Sequence, residues 1–312
     1  MFMLTGSNST WGFMVALFMT LGCAREVFIE LPEEEPQVVA ICHFTPGSPF
    51  YVLLTKSQSL SNTEEPELVV QGDVTISKNG QFFDRLLPVT VNKKQYWVGQ
   101  DVVEAGQVYG LSVRVPGVAN TISAQGSAPK QVPLAPMEIN MERDAQEITL
   151  NDGTKAVRIP LTLQPALDNV TNRFFAFNIR HSIKTISGGE TPVMGEVTVL
   201  QSTFITDGRA SSLLYNTPEQ VVLIDEGFWN ISDPVLRLDV IIPYVPEQEM
   251  PGEIMVEWRT VSEDYYRYHL SIARQGNNLP LSDPDAVYNN ITNGYGNFSG
   301  FSFTIDTVRL VR

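Results

Sequence analysis

The sequence predicts a mainly β chain: two antiparallel β-sandwich domains, the second carrying one short Tyr-rich helix. Three observations lead there. Apolar residues alternate with polar ones in short runs, turn residues separate the runs, and Pro stands between or beside most of them. Alternation at period two puts one face of a strand into a core, and Pro belongs at antiparallel edges and loops rather than inside βαβ units. A chain of 312 residues exceeds the usual size of one domain, and its 43% hydrophobic content suffices for two cores.

The first domain is expected over residues 38–128, as a small sandwich of immunoglobulin or transthyretin type. VVAICHF and PFYVLLTKS read as successive strands. VTISKNGQFF contains Asn79-Gly80, a two-residue hairpin signal, because a type I′ turn needs positive φ at both central positions. YGLSVRV puts Tyr109, Leu111, Val113 and Val115 on one face and Ser112 and Arg114 on the other. TISAQGSAP reads as an edge strand running into a Pro-rich linker, residues 129–136.

The second domain is expected over 137–312. KAVRIPLTL aligns Val157, Ile159, Leu161 and Leu163, and EVTVLQSTF, PEQVVLID, VLRLDVIIPY and EIMVEWRTV continue in the same style. The last sets Ile254, Val256 and Trp258 opposite Met255, Glu257 and Arg259. SEDYYRYHLSIAR, Ser262 to Arg274, is the exception. Ser262 caps free N–H groups, Glu263 and Asp264 meet the positive end of the helix dipole, and Arg274 meets the negative end. Tyr265, His269 and Ile272 share a stripe beside Tyr266 and Leu270, which predicts a helix packed on a sheet. No internal repeat of solenoid length is visible.

The N-terminus predicts an address. Trp11 to Leu21 form an uncharged apolar run, too short to span a bilayer and suited to the core of a signal peptide over residues 1–22. The run ends in TLGC, which resembles a bacterial lipobox, in which the Cys, here Cys23, is acylated and becomes the new N-terminus. Thr20 stands where Leu is usual, and residues 1–22 hold no Lys or Arg. Residues 23–37 then read as the lipidated Cys and an acidic tether with Glu26 and Glu33–Glu35. With Cys23 acylated, Cys42 is left alone, a small buried hydrophobe without a disulfide.

Net charge is -14, from 21 Lys+Arg against 35 Asp+Glu, which argues against a nucleic-acid partner. Little points to catalysis, and no enzyme activity or cofactor is expected. His43, His181 and His269 lie in different segments with no metal-ligand spacing, and NDGTK at Asn151 is a turn rather than a calcium loop. The chain has no nucleophile elbow, phosphate loop or dinucleotide fingerprint. Asp207, Asp225, Glu226, Glu257 and Asp264 could supply a carboxylate pair for glycoside hydrolysis, and Trp97, Trp229 and Tyr295 could stack on a ligand. Packing is the simpler role for each aromatic. Asn-x-Ser/Thr sequons fall at Asn169, Asn230, Asn290 and Asn297.

The stretch YNNITNGYGNFSG, Tyr288 to Gly300, lacks the strand-before, helix-after context of a phosphate cradle. It predicts a connection from the helix to a last strand, FSFTID. Gly294, Gly296 and Gly300 supply positive φ, Ile291 and Phe298 pin it to the core, and Asn289, Asn290 and Asn293 close turns.

SEDYYRYHLSIARQGN followed by DPDAVYNNITNGYGNFSGFS resembles the signature of a family of Bacteroidota outer-membrane lipoproteins, domain of unknown function 4249. Ser262, Tyr265, Tyr266, Tyr268, Pro284, Asn290, Ile291, Gly294, Gly296, Phe298 and Gly300 fall in its places; VTISKNG and GQVYGLSVRVPG resemble its N-terminal part. The resemblance implies a lipoprotein at the outer membrane, held by the acyl group on Cys23; it leaves the face open, and Glu26 with Glu33–Glu35 soon after that Cys favours the cell surface over the periplasmic face. It implies a TonB-dependent receptor as partner, with the chain as a non-catalytic accessory of nutrient uptake that captures substrate or caps the barrel. It carries over no catalytic residue. The alternatives are a surface adhesin or structural lipoprotein and, third, a glycan or peptide hydrolase.

Overall fold

A computed structural model describes residues 35–59, 62, 64–166, 174–185, 190–196, 198–200, 214–217, 220–225, 227, 235–275 and 286–311. Cys23 and its lipobox, Pro284, Asp207, Glu226, Trp229, Asn169 and Asn230 lie outside the described residues.

The chain is mainly β. Its first part supplies β1 (Val38–Phe44), β2 (Pro49–Lys56), β3 (Asp73–Lys78), β4 (Gln81–Val91), β5 (Lys94–Val102), β6 (Val108–Arg114) and β7 (Ile122–Ser127). Then follow β8 (Glu138–Asn140), the short helix α1 (Met141–Asp144), β9 (Gln146–Thr149), β10 (Lys155–Leu163), β11 (Phe175–Thr185), β12 (Glu190–Glu196), β13 (Thr198–Leu200), β14 (Leu214–Asn216), β15 (Val222–Ile224), β16 (Leu236–Pro243) and β17 (Glu249–Val261). Helix α2 (Glu263–Gln275) and the long strand β18 (Tyr295–Val311) close the chain.

Strand order is β14-β15-β11-β17-β18-β1-β2-β5-β4-β3-β6-β7, with β12 added on β11 and β8 on β18, and β13-β16-β10-β9 form a second sheet. Among the described residues two large apolar cores result, besides a smaller cluster where Tyr265 and Tyr266 of α2 meet Ala176, Leu223 and Val261. One is lined by β1 to β7 residues such as Phe44, Phe50, Ile76, Trp97, Tyr109 and Leu111. The other lies between β10 and β16 on one side and β11 and β17 on the other, where Ile159, Leu161, Phe175, Phe177, Leu238, Val240, Val256 and Trp258 meet. Burial in β1 alternates perfectly, and Asn79 and Gly80 adopt φ of 51° and 82° in the β3–β4 hairpin, both as the pattern predicts.

The departures are informative. β18 begins at Tyr295, so the second half of the expected connecting loop is strand. Its first six residues pair in parallel with β1, Val39 to Tyr295 through Phe44 to Gly300. The next eight pair antiparallel with β17, Phe301 to Val261 through Val308 to Ile254. Ile291 and Phe298 therefore enter the core of β1 to β7, the Phe298 ring 4.8 Å from that of Phe44. Residues Pro36–Arg312 form one compact unit, and the segment expected as a linker is no seam: Ser302 Oγ donates to Pro129 O and Val132 sits in the second core. EVTVLQSTF was expected as one strand; β12 and β13 divide its start between the two sheets. Among the described residues of PEQVVLID, Val222–Ile224 is the extended part. β5, β8, β9, β11 and β14 have no counterpart in the expectation.

Only Gly296 among the three signature glycines has positive φ, 121°. The other two answer to crowding. A Cβ on Gly294 would stand 2.6 Å from Val38 O, and one on Gly300 would overlap Ser127 O and the Phe44 ring. The left-handed residue in the turn is instead Asn293, at φ 58°.

Candidate functional site

The chemistry-bearing groups gather where α2 lies across β1, β18 and β17. Ser262 Oγ accepts from Tyr265 N at 3.3 Å, the expected cap, and Ser262 N donates to Gly300 O at 3.0 Å, so the helix start is fastened to β18. Tyr265, Tyr266, His269 and Ala273 form the buried stripe, Ala273 rather than Ile272 completing it. Tyr266 faces Phe174 at 5.0 Å between rings. Tyr265 faces the other way, with its ring 4.1 Å from His269, 5.3 Å from His43 and 5.4 Å from Phe301.

Beneath these rings lies an ion pair. Glu257 and Arg259 are neighbours on one face of β17, and Arg259 Nε and Nη2 reach Glu257 Oε1 at 2.7 and 2.6 Å. Their side chains are 12% and 15% exposed, and Arg259 Nη1 donates to Tyr265 OH at 2.8 Å. The guanidinium also lies 4.8 Å over the Phe301 ring. Burial disfavours its charge, but Tyr265 and Glu257 outweigh that and hold it above its usual range.

The two imidazoles, 4.8 Å apart between ring centres, stay neutral. Burial pushes His43 down to about 4; the Asn297 side chain opposes this and the Arg259 charge adds to it. His269 falls to about 2 through burial, with His43 and Arg259 contributing. Each has an Nε2 without a hydrogen-bond partner.

The signature loop closes the locus. Asn290 pairs with Phe298 as a strand would, its Nδ2 donating to Phe298 O at 2.9 Å and its Oδ1 accepting from Phe298 N at 2.9 Å. Asn289 Nδ2 donates to Ile291 O and Gly294 O, and Asn293 Nδ2 to Thr121 O. Fully buried Asn297 donates to Asp264 O and accepts from Ser299 Oγ, so its sequon is closed to glycan. Tyr288 OH donates to Asp264 Oδ1 at 2.6 Å; burial first, then that carboxylate, pushes the phenol up to about 12.

The other nominated groups stand apart. Trp97 is a core residue at 5% exposure and Tyr295 is 40% exposed. Asp225 accepts from Gly227 N and lies 3.5 Å from the Tyr215 hydroxyl. Cys42 is buried and its thiol is pushed up to about 12 by that burial. Among the described residues no three His, Cys, Asp or Glu groups are placed to share a metal ion, and no helix is long and apolar enough to cross a membrane. Cavities of about 360 and 310 Å³ flank Ala135–Glu138; Asp306 and Thr307 line the first, and Pro160–Thr162 the second. The first opens farther along β18 than the polar locus.

A model of a domain of unknown function, DUF4249, matches residues 24–306. The chain belongs to the DUF4249 family. No curated protein matches it. Sequence reasoning nominated the tyrosines and the loop of this DUF4249 protein and offered Glu257 as one of five carboxylates for a hydrolytic pair, but it placed Arg259 merely on the face of a strand opposite Trp258. The adjacency of Glu257 and Arg259 at i and i+2 was the available signal. That Tyr265 would complete the pair was not readable.

The neutral imidazoles set a pH dependence. An unfolded His protonates near 6.5, whereas folded His43 and His269 resist until about 4 and about 2. The unfolded state therefore binds more protons as pH falls below 6.5, and stability is lost from there downward, approaching about 1.4 kcal/mol per pH unit for each imidazole. Denaturation midpoints at pH 7, 5.5 and 4.5 should fall steeply, and His269→Phe should flatten the slope. Parallel slopes for the two proteins would count against this assignment.

Proposed function

We propose that this DUF4249 protein is a lipid-anchored, non-catalytic accessory of a TonB-dependent uptake system at the outer membrane, capturing substrate for a β-barrel receptor or capping it. One observation carries the non-catalytic part. The hydroxyls, carboxylates and guanidinium that α2, β17 and the signature loop bring together are turned inward onto one another. Arg259 is engaged by Glu257 and Tyr265, Asp264 by Tyr288, and Ser299 by Asn297. A general base or nucleophile must instead face a site that substrate enters. The locus reads as a joint that holds the C-terminal strand against both cores.

Anchoring rests on the TLGC sequence that ends the apolar run. One acyl chain gives marginal binding at about 0.8 kcal/mol per buried CH₂, and the three chains usual in bacterial lipoproteins make the anchor effectively permanent. Cys23→Ala should move the protein from the membrane to the soluble fraction; continued membrane association sinks the anchor. Gently solubilised membranes should yield the protein together with a large β-barrel. Isolation of the chain alone would favour the adhesin reading.

A further inference from the structure

From the shape and position of the β4–β5 hairpin we infer that its tip is a second membrane contact, seating the body on an anionic lipid surface beside the anchor. Residues 87–94 are exposed without interruption, so both faces of this end of the hairpin stand clear of the sandwich. Asn92 and Lys93 turn the chain with φ of 49° and 66°. Leu87, Val89 and Val91 lie on one face at 49%, 43% and 46% exposure. Register sets them beside Val98, Tyr96 and Lys94 of β5, and Val98 beside Tyr51 of β2, itself 49% exposed. Contiguous exposed aliphatic surface of this kind marks an interaction site.

Two observations choose lipid as the occupant. The first is position. Val38, the start of β1, pairs with Lys56 at the end of β2, and the entering chain is fastened there by Gln37 N to Ser57 Oγ and Ser57 N to Gln37 O. β5 runs antiparallel to β2, with Val52 opposite Trp97, so its Lys94 end points the same way as Lys56. The hairpin tip and the entry of the chain thus share one end of the sheet. This step rests on the proposed anchor. Eleven residues lie between Cys23 and Glu35, and the twelve steps between the two span at most ~40 Å.

The second is composition. A chain of net charge -14 places Lys93 and Lys94 together at the tip, next to aliphatic side chains and with Tyr96 behind them. Aliphatic groups dip below the headgroups, lysines reach the phosphates, and tyrosines suit the interface. Glu64, Glu65 and Glu67 share this end, and Glu67 neutralises Lys56 at 2.7 Å. They lie between β2 and β3, off the hairpin, which therefore makes the contact without the sheet end as a whole adhering.

The test uses the full acylated protein reconstituted in phosphatidylethanolamine vesicles with roughly a third phosphatidylglycerol. An environment-sensitive NBD label is placed on Val91→Cys, and on Phe82→Cys at the opposite end of β4. Cys42 is 1% exposed and stays unlabelled. The label at 91 should shift to the blue and be quenched by nitroxide lipids, while that at 82, a site 73% exposed, should do neither. Lys93→Glu with Lys94→Glu should lower the docked-to-free ratio about tenfold or more. Matching behaviour at 91 and 82 overturns the proposal. So does shielding of position 91 in native membranes but not in pure lipid, which would assign the hairpin to a protein partner. Intact mass of the same preparation reports acylation of Cys23, so failure of the anchor and failure of the hairpin contact are read separately.

Discussion

Gly296→Ala should destabilise the protein by about 3–5 kcal/mol, much of the total for an ordinary domain. Two costs add there. The backbone sits at φ 121°, a region that L side chains rarely enter. The new methyl would also overlap the carbonyl of Ala40, and that carbonyl cannot retreat, because β1 is held between β2 and β18. Gly153→Ala is the control. Its φ is 88° with nothing within 4 Å of the added methyl, so only the conformational cost of about 1 kcal/mol remains. Equilibrium urea unfolding of both variants checks the difference, and equal losses would refute the crowding argument.

Removing one partner of the buried ion pair should cost about as much. Glu257→Leu leaves the Arg259 guanidinium, 15% exposed, with a phenol oxygen in place of a carboxylate, which predicts a loss of about 3–5 kcal/mol. Glu257→Leu combined with Arg259→Met should recover most of it, since no charge is then left stranded. A double variant as unstable as the sum of the singles would show that the pair does not act as a unit. Tyr265→Phe should cost less, because it removes one hydrogen bond and keeps the ring among His43, His269 and Phe301.

How far each feature could be read follows from how local its cause is. The helix needed only Ser262, two acids and a 3.6-residue stripe, and it forms within one residue of the expected bounds. Gln81–Lys94 was half read. Asn79-Gly80 announces the hairpin before it, but the β4–β5 turn at Asn92-Lys93 has no glycine and its left-handed residues carry no strong local signal. The signature loop was assigned the right anchors for an incomplete reason. Its glycines imply tight backbone somewhere, and what they are tight against is β1 and β7. The imidazole pair joins His43 to a residue far along the chain, His269, and no spacing rule links them.

By itself the sequence determined a mainly β protein with a capped helix after Ser262, the faces of β6, β10 and β17 that turn inward, and a family signature at the C-terminal end. These are period-two and period-3.6 properties, written in residues that touch their chain neighbours. Tertiary structure decided that β18 joins both cores, that Gly294 and Gly300 serve close approach rather than positive φ, and that Glu257, Arg259, Tyr265 and two histidines form one buried network. Each of these depends on pairing between separate segments, Val39 with Tyr295 across most of the chain and Val261 with Phe301 across the helix and its loop. The free energy of such pairing comes from packing and hydrogen bonding between distant segments, for which the local alternation of either strand encodes a buried face but no partner.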